Sequence, residues 1–214
     1  MLPGVGAAPD GSPVEVYTRL PEMGEGEAVA EVVHAGASVL ELGCGSGRIT
    51  RQLVRLGFRA TAVDESAEML VHVRDAETVH APIEGLDLGR RFDAVLLASN
   101  LVNAKTERRR AFLETCMRHA GLVVVEGLPL GWSPEDGETV LGDVVSRLRV
   151  DRVADGVVHG AVEYEIEGRT WRHSFAMRVF ADEAELRRVL AEAGLRLERR
   201  LDARWFLASA ELRE

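Results

Sequence analysis

Val39-Leu40-Glu41-Leu42-Gly43-Cys44-Gly45-Ser46-Gly47 is the most informative run in this chain. Ser38–Leu42 is a short apolar segment that stops at glycines, the pattern of a buried strand. Ser46–Leu56 then sets Ile49, Leu53 and Leu56 on one helical face and halts at Gly57, so a helix follows. Between them, Gly43, Gly45 and Gly47 permit unusual backbone angles and let a ligand lie against the main chain. The start of a helix offers free N–H groups and a positive dipole end, so an acceptor or negative group belongs there. A dinucleotide fingerprint, G-x-G-x-x-G, needs its third glycine at position 48, which is Arg48. Glu41, on the strand just before the loop, suits a cationic ammonium better than a pyrophosphate. Asp64 ends the second strand, 21 residues after Gly43, where an acid accepts hydrogen bonds from ribose hydroxyls. A nucleoside with a zwitterionic tail satisfies these features together.

Around this run, strand and helix alternate. Phe58–Val63 reads as the second strand, Thr78–Ala81 as the third, Phe92–Ala98 as the fourth and Leu122–Glu126 as the fifth. Ser66 is placed to cap a helix carrying Met69, Leu70 and Val73, and Thr106–Ala120 sets Phe112, Leu113, Cys116 and Met117 on one face. Glu22–Ala35 has the spacing of an N-terminal helix. Continuous apolar strands separated by helices imply a parallel sheet covered on both faces, with right-handed crossovers. The pattern then changes. Val144–Val153, Val157–Glu167 and Thr170–Phe180 alternate apolar and polar residues around Asp155-Gly156 and Glu167-Gly168 turns, which predicts an antiparallel three-stranded unit with one buried face. Asp182 and Glu185 form a capping-box pattern before a last helix closed by Gly194, and Leu195–Leu201 with Arg204–Ala210 read as a final hairpin.

Glu41–Gly47 (ELGCGSG) resembles the first motif of the class I S-adenosylmethionine (SAM)-dependent methyltransferases, and Ala62-Val63-Asp64-Glu65-Ser66 resembles their acidic second motif. Arg91-Phe92-Asp93-Ala94-Val95 and Gly121-Leu122-Val123-Val124-Val125-Glu126 are similar to the starts of the fourth and fifth strands. The resemblance covers about residues 15–130. It implies an α/β, Rossmann-like fold with a seven-stranded, mostly parallel sheet, its last strand antiparallel, and helices on both faces. The antiparallel unit is inserted after the fifth strand. One domain results: residues 1–36 as an N-terminal cap, 37–130 as the cofactor core, 141–180 as a substrate-side insertion and 181–214 as the final helix and hairpin.

The resemblance also implies SAM as cofactor and S-adenosylhomocysteine as product. Glu41 and Gly43 would lie near the methionine end, and Gly45 and Gly47 belong to the same cofactor-binding loop. Asp64 would hold the ribose, Glu65 beside it would also bind the cofactor, and Met69 and Ile83 would pack near the adenine. Glu84, Ala98 and Ser99 complete the expected cofactor contacts. Family members often carry an acid after the third strand for the adenine amino group, and here Pro82 stands in its place.

Ligands of open α/β sheets sit beyond the carboxyl ends of the strands. That points to Ser99, Asn100 and Asn103 after the fourth strand, and to Glu126, Pro129 and Trp132 after the fifth, for the substrate. Tyr17 and Arg19, ahead of the Glu22 helix, are placed for a lid. An oxygen or nitrogen acceptor that must lose a proton needs a base, and Glu126, His173 and Tyr17 are the candidates.

The net charge of -9 argues against a broad nucleic-acid partner, which needs a positive footprint. Arg108, Arg109 and Arg110 read as a solvated helix start. Cys44 and Cys116 are too far apart for a metal spacing and read as reduced and structural, so no metal is expected. No apolar run reaches the ~18–20 residues of a membrane span and no secretory leader is evident, so a cytoplasmic protein is expected. Only the first dozen residues, with Pro3, Gly4, Gly6, Pro9, Gly11 and Pro13, read as disordered. The antiparallel strands would either cover the pocket or form a homodimer surface. A SAM-binding protein that does not methylate, and an NAD-dependent reductase, are the rival functions, the second opposed by the missing third glycine.

Overall fold

The computed structural model describes residues 6–211; Pro3 and Gly4 lie outside them. Two short helices, α1 (Val14–Arg19) and α2 (Glu25–Ala30), precede the core. The expected helix over Glu22–Ala35 is thus cut to one short piece, because Gly24 turns left-handed (φ +84°) and starts α2 late. Tyr17 and Arg19, expected ahead of the first helix, lie within α1. Residues 6–13 form a closed turn instead of a disordered lead-in. Ala7 bridges Pro13, and both oxygens of Asp10 accept from Ser12, at 2.9 Å each.

The core alternates as the sequence predicts: β1 (Ser38–Leu42), α3 (Arg48–Arg55), β2 (Arg59–Asp64), α4 (Ala67–Leu70), β3 (Glu77–His80), β4 (Ala94–Leu97), a short 3-10 helix (Leu101–Asn103), α5 (Thr106–His119) and β5 (Leu122–Glu126). The apolar runs of β1, β4 and β5 are buried on both faces, as strands between two helical layers must be. Leu40, Leu42, Leu96 and Leu97 have no exposed surface, and burying each such side chain contributes about 1.5–3 kcal/mol. Arg109, read from sequence as part of a solvated run, is buried; its guanidinium stacks on Phe180 and donates to the Ala104 carbonyl.

The chain then builds β6 (Gly137–Leu141), β7 (Val144–Ala154), β8 (Val157–Ile166) and β9 (Arg169–Arg178), and ends with α6 (Glu183–Glu192), β10 (Leu195–Arg200) and β11 (Trp205–Ala210). The main sheet has seven strands in the order β10-β11-β5-β4-β1-β2-β3, with β11 antiparallel to both neighbours. The inserted antiparallel sheet has four strands, β6-β7-β8-β9, not the expected three. The extra strand, β6, is an exposed edge with no alternating pattern, so periodicity could not reveal it. Both predicted turns hold: Asp155-Gly156 and Glu167-Gly168 are left-handed pairs joining β7 to β8 and β8 to β9. One face of this sheet turns toward the carboxyl ends of the main strands. The other carries a ladder of ion pairs, with Arg147 between Glu138 and Glu165, and Glu163 between Arg149 and Arg172.

Among the described residues, no helix is long and apolar enough to cross a membrane. Cys44 and Cys116 are free and buried, and burial pushes both thiols well above the usual range, so neither is a nucleophile at neutral pH.

Candidate active site

The loop between β1 and α3 is shaped by its glycines. Gly47 takes φ +80° as the cap of α3, and a Cβ there would lie 3.0–3.2 Å from Val73. Gly43, at φ +71°, is pressed by Leu101, whose Cδ1 would sit 2.8 Å from such a Cβ. The amides of Gly43 and Cys44 both donate to the Val63 carbonyl at 2.9 Å, which seats the loop on the end of β2.

Two carboxylates face the cavity over this loop. Glu41 is 1% exposed, and Thr50 donates to its Oε2 at 2.5 Å. Burial raises its pKa to about 8, with nearby Asp64 adding to the rise and Thr50 opposing it. Asp64 accepts from the Gly45 amide at 2.8 Å through Oδ2 and from the Ser66 amide at 2.9 Å through Oδ1. Each oxygen keeps a further lone pair for a hydroxyl. Burial also raises the Asp64 carboxyl above its ordinary value, and the two amides oppose this.

The cavity measures about 330 Å³, within the range of small-molecule sites. Of the residues expected at cofactor and substrate, Gly43, Gly45, Glu41, Asp64, Glu65, Met69, Ile83, Glu84, Ser99 and Asn100 line it. Gly47 and Ala98 do not; Gly47 serves the packing of α3 against Val73, and Ala98 is buried in the layer beneath the sheet. Arg108 pairs with both Glu84 and Glu65 on the rim.

Over the mouth lie the 8–20 segment and β9. Tyr17 packs above Gly45, and its carbonyl accepts from Ser46 Oγ at 2.7 Å. Burial pushes the Tyr17 phenol above its usual pKa, beside the hydroxyls of Ser12 and Tyr164. His173, Phe175 and Met177 of β9 form the facing wall. The turn at Gly11, whose φ is +90°, packs close to the His173 ring: a Cβ there would lie 3.8 Å from Cδ2, in ordinary contact. An open groove adjoins the cavity, sharing Ala104, Arg108, Ser174, Phe175 and Ala176 with it, and Lys105 stands exposed on its edge.

At the end of β4 the chain makes a tight turn. Ser99 and Asn100 both have positive φ, +55° and +58°, and the Leu101 amide closes onto the Ala98 carbonyl at 3.1 Å. This is a type I′ turn, and holding a serine there costs on the order of 1–3 kcal/mol. Glu126 sits behind it rather than in the cavity. It accepts from the Ser99 amide at 2.6 Å and pairs with Arg204 at 2.6 Å, so it is not poised as a base. Asn103 is wholly buried and spends its side chain on the Arg178 carbonyl and the Leu128 amide, which places it in the scaffold. Pro129 and Trp132 belong to a turn outside the cavity. Arg48 and Asp10 line the cavity and were not singled out from sequence. Arg48 entered the sequence reading only as a missing glycine, and Asp10 only as part of a loose lead-in. Among the described residues no three His, Cys, Asp or Glu side chains converge as a metal site would require.

Residues 39–121 match a family model described as a methyltransferase domain. The malonyl-[acyl-carrier protein] O-methyltransferase of Salmonella typhimurium is 30% identical over 160 residues, covering 69% of this chain and 60% of that protein. The curated relatives that the chain matches are longer, and the matched part spans between 21% and 60% of each. Among solved structures, a S-adenosylmethionine-dependent methyltransferase from Clostridium acetobutylicum superposes with a TM-score of 0.71 at 15% identity, covering 92% of this chain and 95% of that one. The sugar N-methyltransferase KedS8 from a Streptoalloteichus species does so with a TM-score of 0.71 at 20% identity, covering 99% and 96%. The seven-stranded sheet with its antiparallel last strand is the one the sequence resemblance implied; residues 39–121 match a methyltransferase-domain model, and the fold is shared with solved SAM-dependent methyltransferases.

Proposed function

We propose that this protein transfers a methyl group from SAM to an oxygen or nitrogen atom of a small molecule and releases S-adenosylhomocysteine. The observation that carries the proposal is the pair Glu41 and Asp64, facing one cavity of about 330 Å³ from either side of the glycine loop. The residues fit that cofactor. Glu41, shut away from water, is suited to an ammonium, the free N–H groups at the start of α3 to a carboxylate, and Asp64 to ribose hydroxyls. Met69 and Ile83 supply an apolar slot for the adenine, with Glu65 and Glu84 at its rim. Bound there, SAM supplies a methyl on a sulfonium that is already a good leaving group.

The chain's own work is alignment and exclusion of water. The 8–20 segment and β9 close over the loop, and holding reactants in line is worth on the order of 7–11 kcal/mol at best. Of the three candidate bases, Glu126 is bound to Arg204, and Tyr17 is held as a neutral phenol by burial. His173 is left on the cavity wall as the acceptor of the substrate proton, with Tyr17 as a hydroxyl that orients the nucleophile. The acidic net charge and the internally paired outer face of β6–β9 support a small-molecule substrate over a nucleic acid. KedS8 is named for a sugar nitrogen, and an amine or hydroxyl of that size suits the adjoining groove.

Calorimetry with S-adenosylhomocysteine and with NAD, followed by transfer of labelled methyl from SAM into an extract of small molecules, tests the proposal. Binding of the first ligand alone, with label appearing in a small-molecule fraction, is expected. Binding without any transfer would favour a SAM-binding protein that does not methylate, and NAD binding would favour a reductase.

A further inference from the structure

Two neighbouring non-glycine residues in the left-handed region need a reason to stay there. Ser99 and Asn100 line the cavity, and the local main-chain restraints on them are two hydrogen bonds, from the Leu101 amide to the Ala98 carbonyl at 3.1 Å and from the Asn103 amide to the Asn100 carbonyl at 2.9 Å. Further restraint comes from two side chains at the ends of β5 and β11. Glu126, the last residue of β5, accepts the Ser99 amide at 2.6 Å. Arg204, just ahead of β11, donates to Asn100 Oδ1 at 3.3 Å. The two side chains also pair with each other at 2.6 Å, and their strands are in register, Glu126 opposite Trp205. Arg204 Nε is buried without a partner, a cost accepted to keep the guanidinium in this place. The next residue in the chain, Leu101, presses on Gly43, so the position of the turn shapes the wall beside the glycine loop.

We infer that Glu126 and Arg204 form a positioning clamp that holds the Ser99–Asn100 turn in its left-handed form and thereby shapes the methionine end of the cofactor cavity. The inference rests on the SAM-binding proposal for its ligand, but the clamp itself can be read without one. Glu126 acts through the turn and not on the reacting atoms.

The clamp makes a demand that a plain structural ion pair does not: easing the strain should replace it. Glycine adopts positive φ freely. S-adenosylhomocysteine affinity is therefore to be measured by calorimetry for wild type, Glu126→Gln, Arg204→Gln and the double variant Ser99→Gly/Glu126→Gln, with thermal unfolding alongside. Each single variant is expected to weaken binding about tenfold, the loss of one charge-assisted contact, and the added Ser99→Gly to restore most of it. Equal affinity in all four proteins would overturn the clamp, and so would a weakened Glu126→Gln that glycine fails to rescue. Hydrogen exchange at the Ser99 amide supplies a ligand-free readout, with faster exchange expected in Glu126→Gln and in Arg204→Gln. Unchanged exchange would overturn the clamp even if the wild type binds the ligand. A wild type that binds no S-adenosylhomocysteine, yet shows the faster exchange in its variants, would strike the proposed function and leave the clamp standing.

Discussion

Glu41 is the residue on which cofactor binding and pH should meet. Its carboxyl ordinarily titrates near 4.5 and is raised to about 8 by burial, so with no cation against it the group is mostly protonated at neutral pH. An unfolded chain releases that proton near 4.5 while the folded one keeps it to about 8, so the fold loses stability as pH rises between the two values. An ammonium placed against Glu41 favours the ionised form, so binding should release a proton and tighten as pH rises toward 8. Calorimetry of S-adenosylhomocysteine in buffers of different ionisation enthalpy reads this directly. Glu41→Gln should abolish the proton release, weaken binding about tenfold or more, and make the protein more stable than wild type above pH 8. At this scale Glu41 and Asp64 were legible in the sequence, because the backbone of a strand end dictates where they stand. Glu126 and Asn103 were legible as positions beyond strand ends but not in their roles. The first turns to Arg204 and the second to Arg178, partners far along the chain that no local pattern announces.

Gly47 and Gly160 govern how elements approach one another. A methyl at Gly47 would meet Val73 at 3.0 Å while φ stays at +80°, so Gly47→Ala should cost about 1–3 kcal/mol in urea unfolding. Gly160 lies in β8 beside the irregular pairing of Val150 and Arg152 in β7, where a Cβ would fall 2.3 Å from the Arg149 carbonyl and 3.1 Å from the Phe175 ring. Backbone cannot give way as a side chain can, so Gly160→Ala should destabilise more than Gly47→Ala and displace Phe175 from the cavity wall. Elements with strong periodicity or glycine stops, such as β1, β4, α5 and the β7–β9 strands, could be read from sequence. Others could not. The first helix, Val14–Arg19, is a six-residue turn after Pro13 with little periodicity to display, and β6 has no buried face to print a pattern.

Ion pairs that span the whole molecule fasten the N-terminal segment over the site. Arg19 reaches Asp143 and Glu167 at the ends of the inserted sheet, and Arg169 reaches Glu15. These pairs are exposed, so they contribute little to global stability and weaken with salt. Arg19→Ala should leave the thermal midpoint almost unchanged. It should, however, speed proteolysis within residues 8–20 and raise KM for the methyl acceptor, and about 1 M salt should do the same to the wild type. Unchanged proteolysis in both cases would show that the packing of Val16, Tyr17 and Leu20 on the inserted sheet, with the Ser46–Tyr17 hydrogen bond, keeps the segment closed without the ion pairs.

Of the 26 cationic residues, Lys105 is the sole lysine, and it stands at the edge of the groove beside the cavity. Amine-directed chemistry therefore meets one side chain in the entire molecule, apart from the more acidic terminal amine. A fluorophore attached at Lys105 would report occupancy of that groove from a single known point, turning the chain's near-exclusive use of arginine into a built-in address for screening acceptors.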